Sequence, residues 1–210
     1  MTKLHIISHP LVQDKLTLLR DKHTDSNQFR SLLSEISLLL GYEAMHNWPI
    51  TQKEIETPLN IKTSSAMIDS HNVALVSVLR AGNGMLDGML KLIPTACVGH
   101  LGLYRDPKSM SVIEYYCKMP ADMHQKHVII LDPLVATGHS AAVTLTRMKD
   151  YNPASIIFIC LIASKDGVAY LKEQHPDIVI YAAAVDPELD ARHYISPGVG
   201  DAGDRMYGTT

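Results

Sequence analysis

The sequence predicts an α/β protein: a mostly parallel sheet covered by helices, with a protruding hairpin and a docked C-terminal tail. Three observations lead there. Short runs such as 73–79, 127–131 and 155–162 are continuously apolar and rich in β-branched residues, the pattern of strands buried on both faces. Segments with helical character lie between them, and this alternation yields parallel strands joined by crossover helices. Beyond Asp186 the chain becomes rich in glycine, aspartate and proline, yet it keeps Tyr194, Ile195 and Tyr207, which suits an ordered functional loop.

Taken in order, residues 28–48 give the first strong helix: Phe29, Leu32, Leu33, Ile36, Leu39 and Leu40 form an apolar stripe that Pro49 ends. A buried strand is expected over 73–79, then a turn at Gly82-Asn83-Gly84 and a short helix over 85–93. The strand at 97–104 breaks at Arg105-Asp106-Pro107, and 112–118 returns as its hairpin partner. Further strands at 127–131, 155–162 and 178–183 are interleaved with helices at 140–149 and 167–174.

The 210 residues suit one domain with a substantial core. A hydrophobic content of 46%, a charged content of 20% and a net charge of -3 show no basic excess, so nucleic acid is not an expected partner. The apolar stretch at 156–163 falls well short of the roughly 18–20 residues that cross a bilayer, and no signal-peptide pattern opens the chain, so a cytoplasmic protein with no membrane partner is expected. Three cysteines, Cys97, Cys117 and Cys160, without CxxC spacing argue against a disulfide framework. The histidines form no HExxH, and His124-Gln125-Lys126-His127 reads as a polar turn entering a strand rather than half a metal site.

Several familiar chemistries fail on spacing. Gly82, Gly84 and Gly88 miss GxGxxG by one position, no GxxxxGK[ST] occurs, and no GxSxG elbow is present. What remains stands at strand ends: Arg80, Arg105 and Asp132. Asp132 opens the run Asp132-Pro133-Leu134-Val135-Ala136-Thr137-Gly138-His139-Ser140, a small-residue turn that begins a helix. Ligands of open α/β sheets gather at this edge, and a helix N-terminus offers a phosphate its unpaired N–H groups and the positive end of the dipole. Thr137, Gly138 and Ser140 would add hydroxyls and close backbone approach, Arg80 and Arg105 would grip diphosphate oxygens, and Asp132 would meet sugar hydroxyls.

Five segments in order, Arg80 to Met85, Gly99 to Pro107, Glu114 to Lys118, Asp132 to Ser140 and Pro197 to Arg205, resemble the uracil phosphoribosyltransferase family over essentially the whole chain. The resemblance implies a type I phosphoribosyltransferase fold: a parallel sheet with a hood over its strand ends and a β-hairpin flap. It implies a single domain over 1–210, with an N-terminal helical segment at about 1–60, a core at about 61–186 and a uracil-binding hood at about 187–210. The implied reaction is uracil plus 5-phospho-α-D-ribose 1-diphosphate giving UMP and diphosphate, a step of pyrimidine salvage. Arg80, Arg105 and Asp201 are the implied catalytic residues. Phosphoribosyl diphosphate would bind Arg80, Arg105, Asp132, Pro133, Leu134, Val135, Ala136, Thr137, Gly138, His139, Ser140 and Asp201, and uracil would meet Ile195, Gly200, Asp201 and Ala202.

Mg²⁺ would arrive on the substrate diphosphate, since it favours phosphate oxygens, water and one or two carboxylates, so no dedicated protein site is expected. The resemblance also allows GTP as an allosteric activator and implies a homo-oligomer, dimer or tetramer. Two positions depart from the family's pattern. His139 replaces a second glycine of the phosphate turn: positive φ there would strain the turn, whereas a helical conformation would make His139 an added donor. Asn83 stands where an apolar residue is expected. The alternative to the salvage enzyme is a catalytically weak protein that senses phosphoribosyl compounds or nucleotides. A transferase for another base is disfavoured by the 198–204 tail.

Overall fold

The computed structural model describes residues 3–106 and 111–209. β1 (Lys3–Ile6) is followed by α1 (Pro10–Arg20), α2 (Ser26–Ala44) and an arm formed by β2 (Thr51–Glu56) and β3 (Lys62–Met67). Next come β4 (Val73–Leu79), α3 (Gly82–Leu92), β5 (Cys97–Arg105) and β6 (Val112–Lys118). β7 (His127–Leu131), β8 (Leu134–Val135), α4 (His139–Lys149), β9 (Ser155–Ser164), α5 (Lys165–Gln174) and β10 (Val179–Asp186) complete the alternation. β11 (Glu188–Leu189), β12 (Ile195–Ser196) and α6 (Ala202–Tyr207) close the chain.

The central sheet runs β1-β10-β9-β7-β4-β5-β6, with β8 added beside β9. Every pairing in it is parallel except β5 with β6, the predicted hairpin. Alternate residues of β4 serve two cores. Val73 and Leu75 pack with Phe29, Leu33, Ile36 and Met85 of α2 and α3, while Ala74, Val76 and Val78 pack with Leu145, Met148 and Leu171 of α4 and α5. A strand with an apolar layer on each side needs an unbroken apolar run, and burying each such side chain contributes roughly 1.5–3 kcal/mol. The register then fixes the working edge: Ser77 lies opposite Leu131 and Leu131 opposite Ile159, so Arg80 and Asp132 emerge at the same end of neighbouring strands.

The structure revises several boundaries. α2 begins at Ser26, where the Asp25 carboxylate accepts the Gln28 N–H at 2.8 Å, and ends at Ala44 instead of continuing to Trp48. Trp48 precedes Pro49, which disfavours helical backbone before it, and residues 45–48 relax into successive turns. Gly82-Asn83-Gly84 is the first turn of α3 rather than a loop ahead of it. Its glycines serve packing: a Cβ on Gly88 would lie 2.0 Å from the Ser34 carbonyl of α2. The first 60 residues are not wholly helical, since β1 extends the sheet beside β10 and β2 enters an exposed arm. Among the described residues, no helix is long and apolar enough to cross a membrane.

Candidate active site

The turn after β7 is pinned from behind. The Pro133 carbonyl accepts the N–H groups of Leu161 and Ile162 at 2.9 and 3.0 Å, and the Ser164 hydroxyl donates to the Ala136 carbonyl at 2.5 Å. Gly138 carries φ of +83°, and a Cβ there would come within 2.9 Å of the Gly167 carbonyl, so glycine is demanded twice over. α4 starts at the next residue without a capping side chain, leaving its first-turn N–H groups for an anion. Leu134, Val135, Ala136, Thr137, Gly138 and Ser140 line a cavity of about 470 Å³ in front of them.

Arg105 reaches the same cavity from the root of the hairpin, its Nη2 donating to the Thr137 hydroxyl at 2.7 Å. The hairpin tip, residues 107–110, lies outside the described residues. Asp132 lines the cavity and has no ion pair among the described residues. Burial pushes its carboxyl up to about 7, and the Leu134 N–H offsets this only in part.

Arg80 stands on the adjoining wall, lining a second hollow of about 260 Å³ that shares Asp132, Ser140 and Asp201 with the first. Its Nη2 meets an Asp204 carboxylate oxygen at 3.2 Å, its guanidinium lies 5.7 Å from the Tyr207 ring centroid, and the Tyr207 hydroxyl donates to its carbonyl at 3.2 Å. The Leu79–Arg80 peptide is cis. Opposite, the tail closes over the cavity with Ile195, Gly200, Asp201 and Ala202. Asp201 accepts the Asp204 N–H at 2.9 Å and so caps α6 while its residue borders both hollows.

Two residues of the expected phosphoribosyl set, Pro133 and His139, are not among those lining the cavity. Pro133 is buried behind the turn, where its carbonyl serves β9. His139 is exposed and stacks on Tyr170 of α5 at 4.5 Å, with its Nδ1 sharing a 2.9 Å hydrogen bond with the Thr137 hydroxyl. Because Gly138 takes the left-handed backbone and His139 is already helical, the replacement imposes no strain of that kind. Asn83 also has a local partner, accepting the Ser77 hydroxyl at 2.8 Å from within α3.

The site includes residues that motif reading passed over. Arg192, His193 and Tyr194 form part of the cavity wall beside Ile195, and Asp204 and Tyr207 hold Arg80. A charged and aromatic triplet inside a glycine-rich stretch was the available signal for the first group. For a divalent cation, the cavity offers two carboxylates, Asp132 and Asp201, and among the described residues no cluster of three or more His, Cys, Asp or Glu could hold a metal. That donor set fits an ion held mainly by phosphate oxygens and water.

A parallel sheet with a phosphate-ready helix mouth at its edge, an antiparallel hairpin and a covering tail is a phosphoribosyltransferase architecture. Solved structures agree on the fold: a hypoxanthine-guanine phosphoribosyltransferase from Bacillus anthracis aligns with a TM-score of 0.51 at 10% identity, covering 76% of this chain and 80% of the other. The AQ2163 protein of Aquifex aeolicus matches far more fully, with a TM-score of 0.94, 31% identity and 99% of each chain covered. The family model for uracil phosphoribosyltransferase matches residues 6–209. Proteins named uracil phosphoribosyltransferase from Delftia acidovorans and Rhodococcus opacus are 53% and 52% identical over 209 residues, the full length of each pair. The chain belongs to the uracil phosphoribosyltransferase family.

Proposed function

We propose that this chain transfers the phosphoribosyl group of 5-phospho-α-D-ribose 1-diphosphate to uracil, yielding UMP and diphosphate in pyrimidine salvage. The observation that carries the reading is the meeting of the Asp132–Ser140 turn and the 195–203 tail across one cavity, within a chain of this family. The turn from Ala136 to Ser140 and the first N–H groups of α4 bind the 5′-phosphate. Asp132 accepts hydrogen bonds from the ribose hydroxyls and fixes the anomeric carbon for attack.

As the bond from that carbon to diphosphate breaks, the ring gains oxocarbenium character and the leaving group gains charge. Arg80 and Arg105 meet that charge; losing one such donor costs roughly 2.7–4 kcal/mol of transition-state stabilisation. Main-chain groups around Ile195 and from Gly200 to Ala202 hold the base, a design that turns away cytosine because its amino group would face a donor. Asp201 would be the carboxylate beside a Mg²⁺ carried by the diphosphate, an ion that would neutralise part of the diphosphate charge when bound. The 105–118 hairpin acts as a flap that keeps water from the reactive sugar.

The same reading makes 1–210 a single domain and places the enzyme in the cytoplasm as a homo-oligomer, and membership of the family allows GTP as an activator. Diphosphate release measured across a panel of uracil, cytosine, hypoxanthine and adenine tests the activity. Turnover with uracil alone, with stoichiometric UMP, is expected. Tight nucleotide binding without diphosphate release would instead make the chain a sensor.

A further inference from the structure

The base end of the cavity is formed by a loop that is anchored in the core by Ile195 and Val199 and follows an irregular main-chain course between them. Residues 195–201 contain a cis Ser196–Pro197 peptide and left-handed backbone at Gly198 and Gly200, with φ of +58° and +75°. A Cβ on Gly198 would lie 2.0 Å from the Ile195 carbonyl. This loop is gripped from behind. Asp186, only 5% exposed at the end of β10, accepts the Gly198 N–H at 2.9 Å and faces Arg20 of α1 through two contacts of 2.7 Å. Arg20 also donates to the Gly198 carbonyl at 2.8 Å.

A second cation continues the grip. Arg205 Nη1 donates to the carbonyls of Leu19 at 2.7 Å and Val199 at 3.1 Å, and its Nη2 donates to those of Asp21 at 2.6 Å and Thr24 at 3.3 Å. Its guanidinium lies 4.6 Å from the Phe29 ring centroid. Burial works against the charge, and the carbonyl-rich end of α1 is an environment that favours it. The Gly198 N–H and carbonyl and the Val199 carbonyl are therefore spent on the grip, while the residues that follow, Gly200 to Gly203, line the cavity.

We propose that Arg20, Asp186 and Arg205 are positioning residues that set the geometry of base recognition, making uracil affinity depend on α1, a helix outside the cavity. The inference rests on the functional reading above. A donor or acceptor displaced by about 1 Å can cost about 10²-fold, and the main chain at Gly198 and Val199 takes its side-chain hydrogen bonds from Arg20, Asp186 and Arg205.

Arg205→Lys, Arg20→Lys and Asp186→Asn test it through steady-state kinetics with both substrates and through amide exchange of the 195–204 segment without ligand. Lysine keeps the charge but loses the planar fork that serves several carbonyls at once. Arg205→Lys is expected to raise KM for uracil at least about tenfold while KM for phosphoribosyl diphosphate stays within about twofold, and to narrow the preference for uracil over cytosine. Exchange should quicken in 195–204 and not in 127–149. Should Asp186→Asn fail to fold, the two lysine variants still decide the matter. Both KM values rising together, or an unmoved uracil KM with unmoved exchange, would overturn the proposal. Wild-type protein inactive on uracil would overturn the functional reading and this inference with it; an active wild type with an unaffected Arg205→Lys overturns the inference alone.

Discussion

Asp132 and Asp186 hold equivalent places in the chain and opposite places in its energetics. Asp132 directly follows β7, Asp186 is the last residue of β10, and each is followed by proline. Asp186 is satisfied on all sides, by a bidentate Arg20 and the Gly198 amide. Asp132 has the Leu134 amide as its named support, and its burial favours the neutral acid. The lesson is that an Asp-Pro pair after a buried strand marks an edge of the sheet without saying which job is done there. The ion-paired carboxylate builds the protein; the one supported by a single amide is held at a cost, and the proposed function gives it a ligand.

Removing the two carboxylates should separate these roles. Asp132→Asn is expected to lower kcat/KM for phosphoribosyl diphosphate by roughly 10²–10³-fold, the effect of losing one preorganised polar contact in such a site. Asp186→Ala should act first on stability: breaking a buried ion pair costs about 3–5 kcal/mol, or a fall in Tm on the order of ten degrees for a chain this size. Thermal melts run beside initial-rate assays check both. A large Tm loss in Asp132→Asn, or an unmoved Tm in Asp186→Ala, would erase the contrast.

The contrast sharpens with pH. Asp132 titrates at about 7 in the folded protein against an ordinary 3.8, so between these values the folded state holds a proton that the unfolded chain has released. Stability from this group is then greatest at low pH and falls as pH rises through that window. Asp132→Asn should melt a few degrees above wild type at pH 8, the gap closing towards pH 4. Binding runs the other way. Calorimetric affinity for phosphoribosyl diphosphate should strengthen as pH passes about 7 in wild type by more than in Asp132→Asn, the variant correcting for titration of the substrate itself.

His139→Gly should have the smallest effect. The imidazole lies against Tyr170 outside the cavity lining, so KM for phosphoribosyl diphosphate should change by less than about threefold, while the lost ring contact and the helix-start glycine lower Tm by a few degrees. A tenfold change in KM would assign the imidazole to the phosphate after all.

Much of the sugar-phosphate half was legible because its determinants are local. A buried strand, Asp132, a turn with Gly138 and a helix start follow one another within a short stretch, and each has its own residue signature. Pro133 and His139, which are not among the residues lining the cavity, lie on the turn itself, where the side a group faces depends on β9 and α5. The order of the tail was legible in Tyr194, Ile195 and Tyr207 set among glycines, but the expectation that it binds the base came only through the resemblance to a family. Arg20, Asp186 and Arg205 act on the tail across 178, 12 and 6 residues of chain, and neither periodicity nor composition records such pairings. The β2–β3 arm was missed for a different reason: its strands have no buried face to impose an apolar pattern.

A crystal structure with UMP bound tests the central claim most directly. The account predicts the 5′-phosphate on the amides of Ala136 to Ser140, the ribose hydroxyls on Asp132, and the base against the main chain of Gly200 to Ala202. A nucleotide whose phosphate lies away from the α4 mouth, or whose base turns out from under the hood, would contradict it.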